Sequence, residues 1–352
     1  MSEAVPVPKK RPKHGRSVQL NPAKVTEVMN GRGLSVEALA NRSLKSVGTI
    51  NNVLAGHAVY RTTALPIAEA LGISLDVLLA GASSQNIVST IHEYLVDEVL
   101  TDWQTASNGL RFQVCRLRHL ELDRSARGKR FDLRDLATDE EQRCRTWIKR
   151  HPNVCETLNG HPNIIRNITA FHDPTENFYW VIDEWVDGEL LMRKIGGQQF
   201  DQLLAKQLML DLARGLQALN EQGIIRRELN PASVLIRHAD GRAVLTEFEL
   251  AKLIDRGPTV STEEWPVDPY RAGEANSDDV DRRADIFSWS RIAIHALLGK
   301  LPDSGEEREL LDTVSIPPSI RDLLLRACAV LRSDRPDSMQ DITSAIEKWE
   351  VQ

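Results

Sequence analysis

The sequence predicts a multidomain α+β protein in which a small all-α module precedes a larger mixed body. Three observations predict this. At 352 residues the chain exceeds what one hydrophobic core commonly serves, leaving room for two or three domains. Residues 20–81 carry short apolar stripes of helical period, interrupted by glycines. The charge is also divided: residues 1–81 hold ten Lys/Arg against five Asp/Glu, and the remainder thirty-four against forty-five, so a module of +5 precedes a body of −11. A basic module on an acidic body suggests nucleic-acid contact at the N-terminal end only. With 41% hydrophobic and 27% charged residues the composition is that of a globular protein. No apolar run approaches membrane-spanning length. Cys115, Cys144, Cys155 and Cys328 form no CxxC or metal spacing and read as reduced structural thiols, so a cytoplasmic location is expected.

Residues 1–19 hold three prolines and almost no apolar periodicity, which predicts a disordered basic tail bearing Lys9, Lys10, Arg11, Lys13 and Arg16. Between residues 20 and 82, stripes at Val25–Val28–Met29, Ile50–Val53–Leu54 and Leu65–Ala68–Leu71 predict four or five short helices on one small core. The run GLSVEALANRSLKSVGTINNVLAG, followed by ALPIAEALGISLDVLL, resembles the Cro/repressor-type (XRE-like) helix-turn-helix family. The resemblance implies a recognition helix over residues 46–54. It would present Ser46, Thr49, Asn51 and Asn52 to DNA, with Arg42 and Lys45 near phosphate. The sequence departs from the family at Val36, where glutamine is usual, and residues 46–54 contain no Arg, Lys or Gln. The other reading of this module is a protein-contact or dimer surface.

Residues 83–100 place Ile87, Ile91, Leu95 and Val99 four apart, which predicts a linker helix. Beyond it, Thr138 followed by Glu141 reads as a capping box opening a helix. Apolar strand positions Val234, Leu235, Val244 and Leu245 flank the polar turn HADGR. The segments GHPNII, VIDEWVDG, ARGLQALNEQGIIRREL, AVLTEFELAK, PYRAGEA, DRRADIFSWSRIAIHALLGKLP and LRSDRPDS together resemble the eukaryotic-type Ser/Thr protein kinases. That resemblance implies a bilobal kinase-like fold over residues 101–350, with a β-rich N-lobe (101–185) and an α-helical C-lobe (186–350). It also implies structural roles for Phe248, for Asp285 on the catalytic-loop backbone, and for a Glu274–Arg335 ion pair.

Phosphoryl transfer rests on positioning and charge, so the residues that meet phosphate, metal and nucleophile decide the chemistry. By the resemblance, residues 107–114 form the glycine loop, keeping Gly109 but holding Phe112 where a glycine would let backbone approach phosphate. The phosphate-binding lysine position falls to Arg134, with Lys129 out of register, and no helix glutamate stands out among Glu140, Glu141 and Glu156. Glu184 falls at the hinge beside the adenine site, with Asp183 before it. Arg226-Arg227-Glu228 stands for His-Arg-Asp, with Glu228 as base; Asn230 and Ser233 replace a lysine and a metal-binding asparagine. Glu247-Phe248-Glu249 stands for Asp-Phe-Gly, with Glu247 as metal ligand.

So many changes lead to one principal expectation. It is a DNA-binding transcriptional regulator whose kinase-like body is a pseudokinase serving as sensor or scaffold, acting as a homodimer, with no certain cofactor and with ATP and Mg²⁺ only if the cleft is functional. The alternative is an atypical Ser/Thr kinase using Glu228, Glu247 and Arg134 with ATP and Mg²⁺. A further alternative is a protein-interaction scaffold.

Overall fold

A computed structural model of the chain describes residues 17–73, 75–79, 90–106, 109–253 and 267–351, and the chain divides into compact units at residues 1–87 and 88–352. The first unit contains helices α1 (Pro22–Gly31), α2 (Val36–Ser43), α3 (Val47–Leu54), α4 (Arg61–Ala70) and α5 (Leu75–Leu78). A short antiparallel pair joins β1 (Ser17–Val18) to β2 (Val59–Tyr60). Asn21, Ser35 and Ser46 open α1, α2 and α3 by accepting the N–H groups of Lys24, Ala38 and Thr49. Val25, Met29, Leu39, Ile50, Val53, Ile67 and Leu71 form its core. Two expectations are corrected here. Residues 17–18 are a strand rather than tail, because their backbone groups find partners at Val59 and Tyr60. Of the expected stripe Leu65–Ala68–Leu71, Ala68 and Leu71 are buried but Leu65 is 43% exposed, its place in the core taken by Ala64 and Ile67. The basic cluster from Lys9 to Arg16 lies outside the described residues.

The second unit opens with an antiparallel sheet. Its strands are β3 (Thr90–Ile91), β4 (Tyr94–Val99), β5 (Gln104–Thr105), β6 (Arg111–His119), β7 (Ser125–Asp132), β8 (Asn167–Asp173) and β9 (Phe178–Glu184). The order is β3-β4-β6-β7-β9-β8, with β5 also paired to β6. The linker helix expected over 83–100 is thereby corrected: residues 90–99 are two strands of this sheet, and residues 80–89 lie outside the described residues. The misleading signal has a simple origin. The spacing of four arises by chance across a hairpin: Ile91 on β3 faces with its partner Tyr94, Leu95 on β4 faces the other way with Thr90, and a register shift at Val96/Glu98 separates Leu95 from Val99, so the three do not share one face.

Between β7 and β8 run α6 (Thr138–Ile148) and α7 (Arg150–Thr157). No side chain caps α6; Thr138 is its first helical residue, and Glu141 instead receives Arg145 at 2.8 Å, so the expected capping box is absent. One sheet face packs Leu110, Phe112, Val114 and Phe131 against Cys144 and Ile148 of α6. The other packs Tyr94, Leu117, Ala126, Trp180 and Ile182. Gly128 sits where a Cβ would come within 2.6 Å of Leu117 and 3.0 Å of Trp180, so only glycine fits without repacking.

The helical half follows: β10 (Gly188–Leu190), α8 (Leu191–Lys194), α9 (Gln202–Glu221), β11 (Ile224–Ile225), β12 (Val234–Arg237), β13 (Ala243–Leu245) and β14 (Lys252–Leu253), then α10 (Arg283–Leu298), α11 (Glu307–Leu311), α12 (Pro318–Ala327) and α13 (Met339–Glu347). Met209, Leu212 and Leu216 of α9 meet Trp289, Ile292 and Ala293 of α10 in a continuous core, to which Ile342 and Ile346 of α13 belong. The buried indole N–H of Trp289 donates to the Met209 carbonyl at 3.0 Å, so this large side chain leaves no polar atom unsatisfied. The β12–β13 hairpin turns at residues 238–242 and sets the loops on either side of it against the sheet-bearing half.

Candidate functional site

A cleft of about 800 Å³ separates the two halves of the second unit, and Phe112, Arg127, Lys129, Glu228, Glu247 and Glu249 are among its lining. Alternation along β7 turns Arg127, Lys129 and Phe131 toward this cleft. Lys129 is almost fully buried. Its Nζ lies 3.0 Å from Glu249 Oε1, 3.5 Å from Glu247 Oε2, and 4.2 Å from the ring centre of Phe112. Arg127 donates to Glu247 Oε1 at 2.7 Å and approaches Asp183 Oδ2 at 3.5 Å. Burial alone would raise the pKa of Glu247 and Glu249, but Lys129 holds both below the usual carboxylate range, with Arg127 adding to the effect at Glu247.

Two expected cofactor contacts are corrected by this geometry. Arg134 lies beyond the end of β7, half exposed, and closes on Asp132 (Nε–Oδ1 2.8 Å); the lysine of the cleft is Lys129. Glu184 lines a different cavity of about 660 Å³, where its carboxylate receives the Arg166 N–H at 3.2 Å, while its neighbours Trp185 and Val186 line the cleft. Gly109, at φ +81°, lies in the turn between β5 and β6, and Ser107 and Asn108 of the expected glycine loop fall outside the described residues.

The loop after β11 is held by Asp285, which accepts the backbone N–H of Arg226 at 2.8 Å and of Arg227 at 2.9 Å. Burial pushes the Asp285 carboxyl up to about 6, against the pull of those two amides. Arg226 is fully buried, and burial lowers its pKa. It donates to the carbonyls of Thr246 and Glu247 and lies 4.7 Å from the Phe248 ring centre, tying this loop to the one after β13. Arg227 Nε donates to the Ala275 carbonyl at 2.8 Å. Glu228 Oε1 accepts from Arg271 at 2.9 Å. Asn230 Oδ1 accepts the Ala232 N–H, and its Nδ2 donates to Asp268 at 3.2 Å. The Ser233 hydroxyl donates to the Asn230 carbonyl at 3.0 Å, a local turn bond. Arg227 and Glu247 both adopt left-handed backbone, at φ +68° and +65°. Non-glycine residues held there cost on the order of 1–3 kcal/mol each and concentrate at functional sites.

Asp183, wholly buried at the end of β9, receives His151 Nε2 at 2.9 Å and Asn167 Nδ2 at 2.9 Å as well as Arg127. Burial opposes its ionisation, yet these partners hold its pKa below the usual value. Further out, Glu274 and Arg335 form a bidentate pair, one bond at 3.2 Å, with the Arg335 side chain buried. Sequence reasoning missed Arg127 and His151. Arg127 shares strand parity with Lys129, so it follows only once pairing with β6 and β9 has placed Lys129 in the cleft.

In the first unit, Asn51 and Asn52 are exposed on α3 and Arg42 on α2, with Lys45 half-buried. Ser46 Oγ accepts the Thr49 N–H at 3.1 Å and lies 2.9 Å from its hydroxyl, so both side chains serve the helix start.

The sequence profile of the protein kinase domain matches residues 113–343. The Ser/Thr-protein kinase PknA of Nostoc sp. is 23% identical over 215 residues, which cover 57% of this chain and 38% of that protein. The Ser/Thr-protein kinase PEPKR2 of Arabidopsis thaliana is 25% identical over 184 residues, covering 52% and 37%. The chain thus spans under two fifths of either relative's length. Among solved structures, the kinase domain of Mycobacterium tuberculosis PknI superposes with a TM-score of 0.56 at 20% identity, covering 74% of this chain and 97% of that one, a likeness of fold. These comparisons correct the principal expectation. The matched family and the kinase names of the relatives conflict with a transcriptional regulator built on a pseudokinase, and they give the helix-turn-helix DNA-binding reading no support. The alternative reading, an atypical kinase, agrees with them better. No helix among the described residues is long and apolar enough to cross a membrane.

Proposed function

The chain is a member of the protein kinase domain family, and we propose that it transfers the γ-phosphoryl group of ATP to a Ser or Thr hydroxyl with an altered set of side chains. The Ser/Thr preference is carried over from the names of its relatives. The observation that carries the reading is the cleft lysine, Lys129, standing 3.5 Å from the loop carboxylate of Glu247. A lysine and a metal-loop carboxylate facing one cleft are two of the parts that phosphoryl transfer requires.

In this reading Lys129, assisted by Arg127, meets the phosphate oxygens. Glu228 accepts the proton of the attacking hydroxyl, its carboxylate oriented by Arg271. The donor set suits Mg²⁺, which commonly takes one or two protein carboxylates and fills its remaining positions from phosphate and water. Glu247 would hold it with Glu249 beside it, and the ion would supply charge neutralisation between the phosphates. Ser233, committed to its own turn, is left out of this set.

Incubation of the full chain with γ-labelled ATP, Mg²⁺ or Mn²⁺ and a generic protein substrate tests the reading. Label should appear on Ser or Thr and disappear in Lys129→Met and Glu247→Ala. Absence of transfer with either ion, or transfer that survives Glu247→Ala, would refute it.

A further inference from the structure

Near the start of α7 stands a histidine to which the phosphotransfer set assigns no part. His151 is 1% exposed, and each ring nitrogen has a partner on a different element. Nε2 lies 2.9 Å from Asp183 Oδ1 at the end of β9. Nδ1 lies 3.1 Å from the backbone nitrogen of Phe248 in the loop after β13, and the two rings stack with centroids 5.6 Å apart. A backbone N–H can only donate, so Nδ1 is the acceptor. The ring proton therefore sits on Nε2, where the Asp183 carboxylate accepts it. The partners fix the tautomer.

This arrangement joins α7, β9 and the loop that carries Glu247. In protein kinases the corresponding tie between helix and cleft is an ion pair from the strand lysine to a helix glutamate. Here Lys129 makes its ion pairs with Glu247 and Glu249, both on the loop. Of the helix glutamates, Glu141 pairs with Arg145 on its own helix, and Glu140 and Glu156 are exposed. We propose that His151 is the positioning residue through which α7 sets the backbone at Phe248, and with it the carboxylate of Glu247. Displacement of α7 moves Nδ1, the Phe248 amide follows it, and Glu247 at the preceding residue turns in the cleft. Asp183 anchors the other side of the ring, which answers why an anion is tolerated at that buried position. The catalytic consequence rests on the phosphotransfer reading; the mechanical linkage does not.

Two substitutions separate the two bonds. In His151→Asn, Oδ1 overlays Nδ1 and keeps an acceptor for the Phe248 amide while abandoning Asp183. In His151→Gln, the terminal amide keeps a donor for Asp183 and abandons Phe248. Hydrogen exchange read by mass spectrometry on the full chain should show the peptide bearing residues 247–249 opening about tenfold faster in His151→Gln, with the rest of α9 and α10 unchanged. His151→Asn should leave that peptide within about threefold of wild type and speed exchange in β9 instead. Where transfer is measurable, kcat/KM should fall by about tenfold more in His151→Gln than in His151→Asn. Equal exchange of the loop in wild type and His151→Gln overturns the proposal. So does the reverse pattern in His151→Asn, which remains readable if the Gln variant fails to fold. Exchange needs no turnover, so a wild type without kinase activity would sink the phosphotransfer reading alone.

Discussion

Replacing Glu249 by glutamine isolates the consequence of holding Lys129 in an ion pair before any nucleotide arrives. Glu249 Oε1 and Lys129 Nζ are 3.0 Å apart, with side chains 9% and 4% exposed. At an effective dielectric of about 20, unit charges at that separation attract by roughly 5–6 kcal/mol before desolvation is counted. Removing one partner of a buried pair typically costs about 3–5 kcal/mol. Here Glu247 Oε2 remains 3.5 Å from the same ammonium, so a loss of about 1–3 kcal/mol of folding stability is expected. The same interaction opposes ligand binding, because a phosphate reaching Lys129 must displace Glu249. Relief of about 1.4 kcal/mol at that step corresponds to about tenfold tighter ATP binding. Lys129 holds the folded pKa of Glu249 below its unfolded value, despite burial. Its stabilising contribution is therefore present above the ordinary glutamate range and lost as pH falls through the lowered pKa, so both effects are in force at pH 7. Urea unfolding gives the first quantity, and titration of ATP by calorimetry with and without Mg²⁺ the second. A Glu249→Gln variant that loses stability without gaining affinity for ATP would refute the competition between carboxylate and phosphate.

Three further predictions follow from the same geometry. Lys129→Met should lower phosphotransfer by about 100-fold or more, whereas Arg134→Ala, on a surface pair with Asp132, should leave it within about twofold; the reverse ranking in a labelled-ATP assay would restore Arg134 as the phosphate residue. Glu228→Gln should lower kcat by about 100-fold, a common size for a lost general base, with KM for ATP nearly unchanged; steady-state kinetics over both substrates reads the split. The Asp285 carboxyl, raised to about 6 by burial, binds its proton more tightly folded than unfolded. Its contribution to stability is therefore greatest below about pH 4 and declines as pH rises through about 6, by up to about 3 kcal/mol. The difference in unfolding free energy between wild type and Asp285→Asn, measured from pH 4 to pH 7, should carry that slope.

The helical core of the first unit and the hairpin at HADGR were legible because periodicity and turn chemistry are local signals. Val25 and Met29 of α1 and Ile50 and Val53 of α3 are buried as their spacing predicts, with Val28 and Leu54 only partly so. Register was not legible. Arg134 and Lys129 lie five residues apart, an odd number, so in one continuous strand they face opposite sides, and only pairing with β6 and β9 decides which enters the cleft. The strand also ends at Asp132, before Arg134 is reached. The same parity explains Arg127, which enters the cleft because Lys129 does. At residues 90–99 the apolar spacing of four spans a hairpin turn and a bulge, which interrupt any strand period and leave the run looking helical. His151 offered no sequence signal. A lone histidine on a short helix becomes informative only when Phe248, 97 residues away in sequence, and Asp183 are brought to its two nitrogens.

The altered residues of the cleft also constrain one another. Lengthening an aspartate to a glutamate moves a charge by about 1.5 Å, and 1 Å of misplacement can cost about 100-fold in rate when nothing compensates. Loss of function without replacement would leave such charges buried and unpaired, at several kcal/mol each. That is not the pattern observed. Glu228 meets Arg271, Glu247 meets Arg127, and Glu249 meets Lys129, each nitrogen–oxygen distance between 2.7 and 3.0 Å. Arg127 in turn reaches Asp183, whose other oxygen accepts from His151, so donors and carboxylate acceptors alternate from α7 across β9 and β7 to the loop after β13. A matched set of this kind holds the Glu247 carboxylate in place through Arg127 and Lys129. The identity of individual motif residues is therefore a poor guide to whether this cleft works, and the distances among their replacements are a better one.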